Sequence, residues 1–419
     1  MATSAGGMAD ISHDPGLSLF QLLDPAVHAD PYPFYRRLRE QSPVHWDPFM
    51  HTWVVTRYED VLTVLQTFSA DRTPNPAQMA ALGMPGLGPI ADVMARQMLF
   101  LDAPSHTRLR KLCSSAFTPR RVEKMEEQIQ AIADRLIDDV AASGRMDVIA
   151  DFAEPFPAIV TAGLLGVPLD DHRQLKAWSA DFAEMLGNFQ HNPERVGKVM
   201  KSVEGMTAYF RAAIRDQQDA PRDGLIGSLM LAEVDGQRLS EDEVIANTIV
   251  TMVGGQETTT NLIGSGLLTL IRQPERLAQL RDDPELIRPA IEELLRFESP
   301  SQHTARIAPA DTMIGGRMIP KGAAVMAVMA AGNRDPDRFP DPDRLDLERT
   351  DNRHLAFGWS AHFCFGAPLA RMEGRIAFTT LLRRLTDFAI DADRLEWRTN
   401  SGLRGLKALP IRFRESAAA

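Results

Sequence analysis

Two cysteines occur in the chain, Cys113 and Cys364, and only the second stands where a sulfur is set up for chemistry. The stretch Phe357-Gly358-Trp359-Ser360-Ala361-His362-Phe363-Cys364-Phe365-Gly366 runs directly into Ala367-Pro368-Leu369-Ala370-Arg371. Pro368 suits the first turn of a helix, and Leu369, Met372 and Ile376 recur at helical spacing, which places Cys364 just ahead of a helix N-terminus. There, free backbone N–H groups and the positive end of the helix dipole favour thiolate over thiol. Gly358 and Gly366 allow the backbone to bend or to approach a flat ligand closely. Cys113, by contrast, reads as a small buried hydrophobe.

Three further groupings carry chemistry. Near the middle of the helical stretch from Ser240 to Arg272 stand Gly254-Gly255-Gln256-Glu257-Thr258-Thr259. A glycine inside a helix weakens it by roughly 1 kcal/mol relative to Ala, so two of them point to something flat lying against them. Thr258 can return its hydroxyl to the carbonyl of Gly254, loosening the helix and leaving a groove; a solvated face with a back-bonded Thr accounts for this segment equally well on its own. Glu293 and Arg296 share a helical face, a weak signal because such pairs decorate many surface helices. His106 and Arg110, four apart after Asp102-Ala103-Pro104, set two cations side by side and invite an anion, the plainer reading being ordinary surface charge.

The elements that must position these residues are mostly helical. Pro33 to Glu40 reads as a short helix, Val44 to Trp46 with Trp53 to Thr56 as a strand pair, and Tyr58 to Leu65 as a further helix. Thr73 to Pro89 holds four prolines and three glycines, a density that forbids long regular elements, and loops of this length are often functional. From Ser105 to Pro300 the apolar spacing is helical, broken at Pro119, Pro155, Pro168, Pro193, Pro221, Pro274 and Pro284. Ser240-Glu241-Asp242-Glu243 has the form of a capping box. After Arg306 come short strands and turns, one clear helix from Pro368 to about Leu385, and closing strands. The fold class is therefore mainly α with a smaller β region.

Forty-six Lys and Arg against 56 Asp and Glu give a formal charge of −10, which argues against general affinity for nucleic acid or an anionic membrane. Two cysteines are too few for a disulfide framework and fit a reducing compartment. Ala323 to Ala331, the longest nearly apolar stretch noted, is too short to span a bilayer, so a cytoplasmic location without membrane attachment is expected.

Taken in order along the chain, these segments resemble the cytochrome P-450 superfamily, from about Asp30 to Phe413. The loop before Cys364 looks like that family's haem-binding loop, with Ser360 where a Gly is usual. The resemblance implies a helical lobe and a sheet-rich lobe around one haem, read as a single catalytic domain over 30–419 after an N-terminal extension over 1–29. It implies haem b with Cys364 as axial iron ligand, the thiolate donating electron density that promotes O–O cleavage. Phe357, Gly366, Gly254 and Gly255 would lie against the cofactor, and His106, Arg110, Arg306 and His362 would hold its propionates. Thr258 would donate a hydrogen bond to bound dioxygen, and Glu257, where Asp is commoner, would join a proton path to solvent. Neighbouring helical residues point about 100° apart, so the two cannot both face the iron. Glu293, Arg296 and Arg349 would form a structural triad.

The activity implied is monooxygenation, one atom of O2 entering a C–H or double bond of a lipophilic small molecule. The chain has no flavin, nicotinamide or iron–sulfur fingerprint, so electrons would come from a separate ferredoxin and its reductase. Arg108, Lys111, Arg120, Arg121 and Arg375 offer a basic docking face, or simply solvated charge. By resemblance the substrate pocket draws on the Thr73–Gln97 loop, the helices around Phe182 to Met206, Val250, Val253, Gln256, Gln302, His303 and Leu403. Met79, Met84, Met94, Met185 and Met252 suggest an adaptable apolar cavity there. Other readings are a peroxide-driven or coupling oxidase, a haem sensor or carrier, and a hydrolase using Cys364 with His362, whose adjacency in one loop disfavours the needed geometry.

Overall fold

Prolines open many of the helices, since a missing N–H costs nothing in the first turn. The structure, a computed structural model, describes residues 14–72, 88–187 and 193–416. The first part of the chain holds α1 (Pro25–Ala29), α2 (Tyr32–Gln41), β1 (Val44–Asp47), β2 (Thr52–Val55) and α3 (Tyr58–Thr67). The helical half follows: α4 (Gly88–Met94), α5 (Ser105–Ala116), α6 (Pro119–Lys124), α7 (Glu126–Ala141), β3 (Arg145–Asp147), α8 (Pro155–Leu165), α9 (His172–Gly187), α10 (Pro193–Asp216) and α11 (Leu225–Leu231). After the short pair β4 (Glu233–Val234) and β5 (Gln237–Arg238) come α12 (Glu241–Ile271), α13 (Pro274–Asp282) and α14 (Ile287–Phe297). The rest is β6 (Thr304–Ile307), β7 (Thr312–Ile314), β8 (Arg317–Ile319), β9 (Ala324–Ala327), α15 (Met329–Gly332), α16 (Ala367–Arg384), β10 (Leu385–Ile390) and β11 (Pro410–Glu415).

The helices and strands expected from spacing stand within a residue or two of these bounds. Most of the Pro- and Gly-rich 73–89 loop, with Met79 and Met84, lies outside the described residues, and Gly88 and Pro89 open α4. One correction concerns apolar runs. Val148–Leu165 is longer and more apolar than Ala323 to Ala331 and meets the length and hydropathy of a membrane span, but 72% of it is buried inside the fold. Glu154 divides it into a π-turn over Val148–Ala153 and the helix α8.

Helix α12 is the axis of the molecule. Ser240 caps it as the sequence indicates, its Oγ accepting from Glu243 N at 3.2 Å while Glu243 Oε2 accepts from Ser240 N at 2.9 Å. Buried residues occupy all sides of α12, so its pattern is that of a core helix rather than a surface one. Ile249, Met252, Ile263 and Leu267 join Phe156 and Ile159 of α8 and Ile376 and Phe378 of α16 in one large core cluster.

The main sheet has the order β1-β2-β9-β6. β2 runs parallel to β9, pairing Trp53 with Val325, and β6 runs antiparallel to β9, pairing Arg306 with Val325. Beyond β6, Ser69 and Ile307 exchange backbone hydrogen bonds of 2.9 Å in each direction. That bridge fixes where the chain leaves α3, three residues before Arg72. Toward the N-terminus, Leu17, Leu19 and Leu22 pack with Tyr35 and Leu38 of α2.

Candidate active site

Cys364 sits between a tight loop and α16, whose cap is Gly366. The loop is closed by Cys364 N donating to Phe357 O at 2.8 Å and Phe363 N donating to Ser360 O at 3.0 Å. Gly358 has φ +68°, and Ser360 adopts φ +59°, the left-handed conformation that glycine takes without strain. The Gly-to-Ser departure thus leaves the turn in place. Burial pushes the Cys364 thiol up, opposed by the Gly366 N–H, the charges of Arg110 and Arg371, and the Ala367 N–H. The N–H groups at the helix end thus favour the thiolate, as its position indicates, against the cost of burial, and a bound cation at sulfur would favour it further.

Cations gather beside the loop. Arg110 Nη2 donates to Phe363 O at 2.9 Å, and its guanidinium lies 5.3 Å from the Phe365 ring centre. The rings of His106 and His362 are 4.2 Å apart. Burial, His106 and Arg306 hold His362 down to about 3, while burial and Arg110 lower His106. Arg306 is brought down to about 10 by burial. Its Nε, like Nε2 of His106, is buried with no hydrogen-bond partner among the described residues. Buried guanidiniums beside imidazoles, with ring and guanidinium nitrogens left unused, make a ready site for an anion.

A fifth member, Arg72, was not singled out from sequence. Burial and Arg306 bring it down to about 9, and its charge is felt at His362. The Ser69–Ile307 bridge delivers it to β6, and a lone Arg ahead of a Pro-rich loop carries no spacing signal by which to find it.

Across from the loop, Thr258 Oγ1 donates to Gly254 O at 2.8 Å, the back-bond the sequence suggested. A Cβ built on Gly254 would meet nothing within 4 Å, nor would one on Gly366. Open faces at two glycines, an anion-seeking cluster and the sulfur of Cys364 are the parts that a flat dianionic macrocycle such as haem calls for. Gly255 differs from expectation: its Cβ would lie 3.3 Å from Thr161 Oγ1 of α8, so it packs against that helix and not on the open side. Gln256 is also displaced from its expected role. At about 100° per residue it points about 200° round from Gly254, and it is fully buried. Val250 is half-buried one turn before Gly254, whereas Val253 is buried in the core.

Glu257 is nearly buried and held by two cations, Lys176 of α9 and Arg398 Nη1, the latter at 2.6 Å. Both also approach Glu154, Lys176 at 3.8 Å. Glu257, Arg398, Asp181, Lys198, Asn400 and Leu403 line a cavity of 670 Å³. Many of its lining side chains are charged; of the methionines expected around a substrate, Met94 and Met252 are buried in the core, and Met79 and Met84 lie outside the described residues. Gln302 departs from a substrate-facing role, its amide donating to Ser299 O at 2.6 Å and accepting from Tyr35 Oη at 2.9 Å. His303 is buried, which brings it down to about 4.

Glu293 of α14 gathers its partners into the core. It accepts from Arg296 Nε at 2.8 Å and Nη2 at 2.7 Å, Arg349 Nε at 3.2 Å, Asp346 N at 2.9 Å and Asn352 Nδ2 at 3.1 Å. Most of the basic face is neutralised within the chain: Arg108 pairs with Glu243, Arg121 with Asp223 and Arg375 with Glu126.

Residues 43–394 match the sequence profile of the family described as Cytochrome P450. The chain is 36% identical to "Polyketide biosynthesis cytochrome P450 PksS" of Bacillus subtilis over 394 residues, 92% of this chain and 96% of that protein. It is 38% identical to "Cytochrome P450 monooxygenase PikC" of Streptomyces venezuelae, covering 93% of each. Among solved structures it superimposes on P450BioI in complex with an acyl carrier protein carrying hexadec-9Z-enoic acid, with TM-score 0.87, 35% identity, and coverage of 93% of this chain and 99% of that one. With the loop, the cation cluster and the long distal helix assembled as described, the chain belongs to the cytochrome P450 family and is a monooxygenase of the oxidoreductase class.

Proposed function

We propose that this protein inserts one oxygen atom from O2 into a medium to large, largely apolar natural-product molecule that carries a polar substituent. The observation that carries the reading is the convergence of Arg72, Arg110, Arg306, His106 and His362 beside Cys364. Haem b bound there would supply the dioxygen-activating chemistry.

The chain's own residues do the rest. Cys364 is the sulfur donor to the metal. The guanidiniums would hold the carboxylates of the haem group and so orient it. Thr258, released from its back-bond to Gly254, orients a hydrogen bond toward the open face, and Glu257 sits between that face and the 670 Å³ cavity, placed to pass protons. Glu293, Arg296 and Arg349 hold the fold behind the loop, and residues 30–419 act as one catalytic unit. Substrate would enter beside Leu403, Asn400 and Lys198, a rim whose charges suit a polar group on an otherwise apolar molecule. Relatives named for polyketide and biotin biosynthesis support that class. Electrons would come from a separate ferredoxin with its reductase.

The test is the carbon monoxide difference spectrum of the reduced holoprotein. A thiolate-shifted Soret band, lost in Cys364→Ser, is the expected result, and iron bound through nitrogen alone in the parent protein would overturn the reading. Extraction of the pigment identifies the haem type, and ligand-induced spin-state shifts across a natural-product panel test the substrate class.

A further inference from the structure

Glu257, Asn261 and Ser265 stand four residues apart on α12 and form one ridge along its side, neighbours lying about 6 Å apart along the axis. All three are buried. Glu257 is satisfied by Lys176 and Arg398. Neither amide atom of Asn261 nor the hydroxyl of Ser265 has a hydrogen-bond partner among the described residues. Leaving such groups unsatisfied costs about 1–3 kcal/mol each, and native proteins meet them with ordered water when no protein atom serves.

The ridge is roofed by a strap over residues 397–407, in which Trp397 bridges Leu406 and Arg398 N donates to Gly405 O at 2.9 Å. Gly405 rests directly on Asn261; a Cβ there would lie 1.8 Å from Oδ1, so only glycine fits. On one flank of the strap Glu257 opens into the 670 Å³ cavity. On the other flank Ser265 opens into a separate cavity of 340 Å³, lined also by Thr269, Tyr32, Glu298, Trp397 and Arg404. The rim of this second cavity is fixed by Glu298, which pairs with Arg404 and accepts from Tyr32 Oη at 3.3 Å. A spacing of about 6 Å is the span of two hydrogen bonds of about 2.8 Å, the separation that a single bridging water matches. Thr259, which donates to Glu373 at 3.2 Å, points about 160° away from Asn261 and belongs to another face.

We infer that ordered water bridges Asn261 and Ser265 and links Glu257 to the 340 Å³ cavity, giving that acid a second route to solvent beneath the strap. The inference rests on the proton-handling role proposed for Glu257. Ser265 relays, its oxygen accepting a proton from the cavity side as its own passes to the next water. Asn261 is a positioning residue: its amide orients the flanking waters and transfers nothing itself. No net charge or electron moves apart from the proton.

A high-resolution crystal structure of the holoprotein should show water bonded to the Asn261 amide and to Ser265 Oγ. Asn261→Leu, close in volume, and Ser265→Ala should then raise the solvent deuterium isotope effect on oxygen consumption with a surrogate ferredoxin–reductase chain. The rate should fall by about three- to tenfold, less than the roughly 10²- to 10⁴-fold of losing proton transfer outright, because the other route persists. Melting temperature should change little, since an apolar side chain of similar volume replaces the amide and the displaced water regains its hydrogen bonds in bulk. A dry ridge, or an unchanged isotope effect in both variants, overturns the inference; should Asn261→Leu fail to fold, Ser265→Ala decides it alone. A preparation without the thiolate-shifted carbon monoxide band sinks the underlying functional reading, whereas one that keeps the band but shows no isotope change sinks only the second route.

Discussion

Glu293→Ala should be among the most damaging single substitutions in the molecule while touching no reacting atom. Glu293 and Arg296 are both fully buried, and the carboxylate takes the two short bonds from Arg296 together with those from Arg349, Asp346 and Asn352. Removing one partner of a buried ion pair costs about 3–5 kcal/mol because the other charge is left uncompensated. Arg296 keeps its Nη1 bonds to Asn333 O and Pro342 O, both 2.8 Å, which puts the expected loss at the lower end, about 3 kcal/mol. Against a total stability of about 5–15 kcal/mol this is a large fraction. For a chain of this size it corresponds to a fall of about 3–4 °C in melting temperature. Arg349→Ala, which removes a longer bond to Glu293 and one to Pro340 O, should cost less, about 1–2 kcal/mol. Thermal and urea unfolding of the two variants give both numbers. A loss below about 1 kcal/mol for Glu293→Ala, or an inverted order of the two, would refute the assignment of these charges as mutually dependent.

Other outcomes follow from other parts of the structure. Arg72→Leu should speed haem transfer to an acceptor apoprotein by about tenfold or more, the worth of one charged hydrogen bond to a carboxylate, and an unchanged rate would remove Arg72 from the anion site. Ser360→Gly should stabilise the protein by up to about 1 kcal/mol in urea, the left-handed penalty relieved less the added freedom of the unfolded chain; a loss of stability would show that the hydroxyl has a role of its own. His28 and His303 are each held down to about 4, chiefly by burial, so the unfolded chain binds more protons than the folded one between 6.5 and about 4. Their stabilisation is complete above 6.5 and is lost as pH falls through that window, by about 3 kcal/mol per histidine. Melting temperature should drop steeply across that range, and His28→Gln with His303→Gln should flatten the profile; a parallel profile would contradict the burial argument.

The chemistry along the chain was legible wherever one local pattern sufficed. The capping box at Ser240, the back-bond from Thr258 to Gly254 and the placement of Cys364 ahead of a helix each depend on residues within a few positions of one another. The legibility ended where contacts are distant. Arg72 reaches the cation cluster only because Ser69 bridges Ile307, 238 residues on. Gln256 was misjudged because adjacency on paper hides a rotation of 100° per residue. At Cys364 the N–H groups of Gly366 and Ala367 favour the thiolate as the helix end indicates, whereas the opposing burial is visible only in the tertiary structure. The ionic lining of the larger cavity comes from Arg398, Asn400 and Lys407 folding back over α12, and no periodicity announces a strap.

Lys176 and Arg398 grip Glu257 from opposite sides, one from α9 and the other from the strap. Because one of these cations belongs to a helix and the other to the strap, the carboxylate fastens α9 to residues 397–407 across α12. Two walls of the 670 Å³ cavity are thus moored to one side chain, and trimming it would set both adrift together.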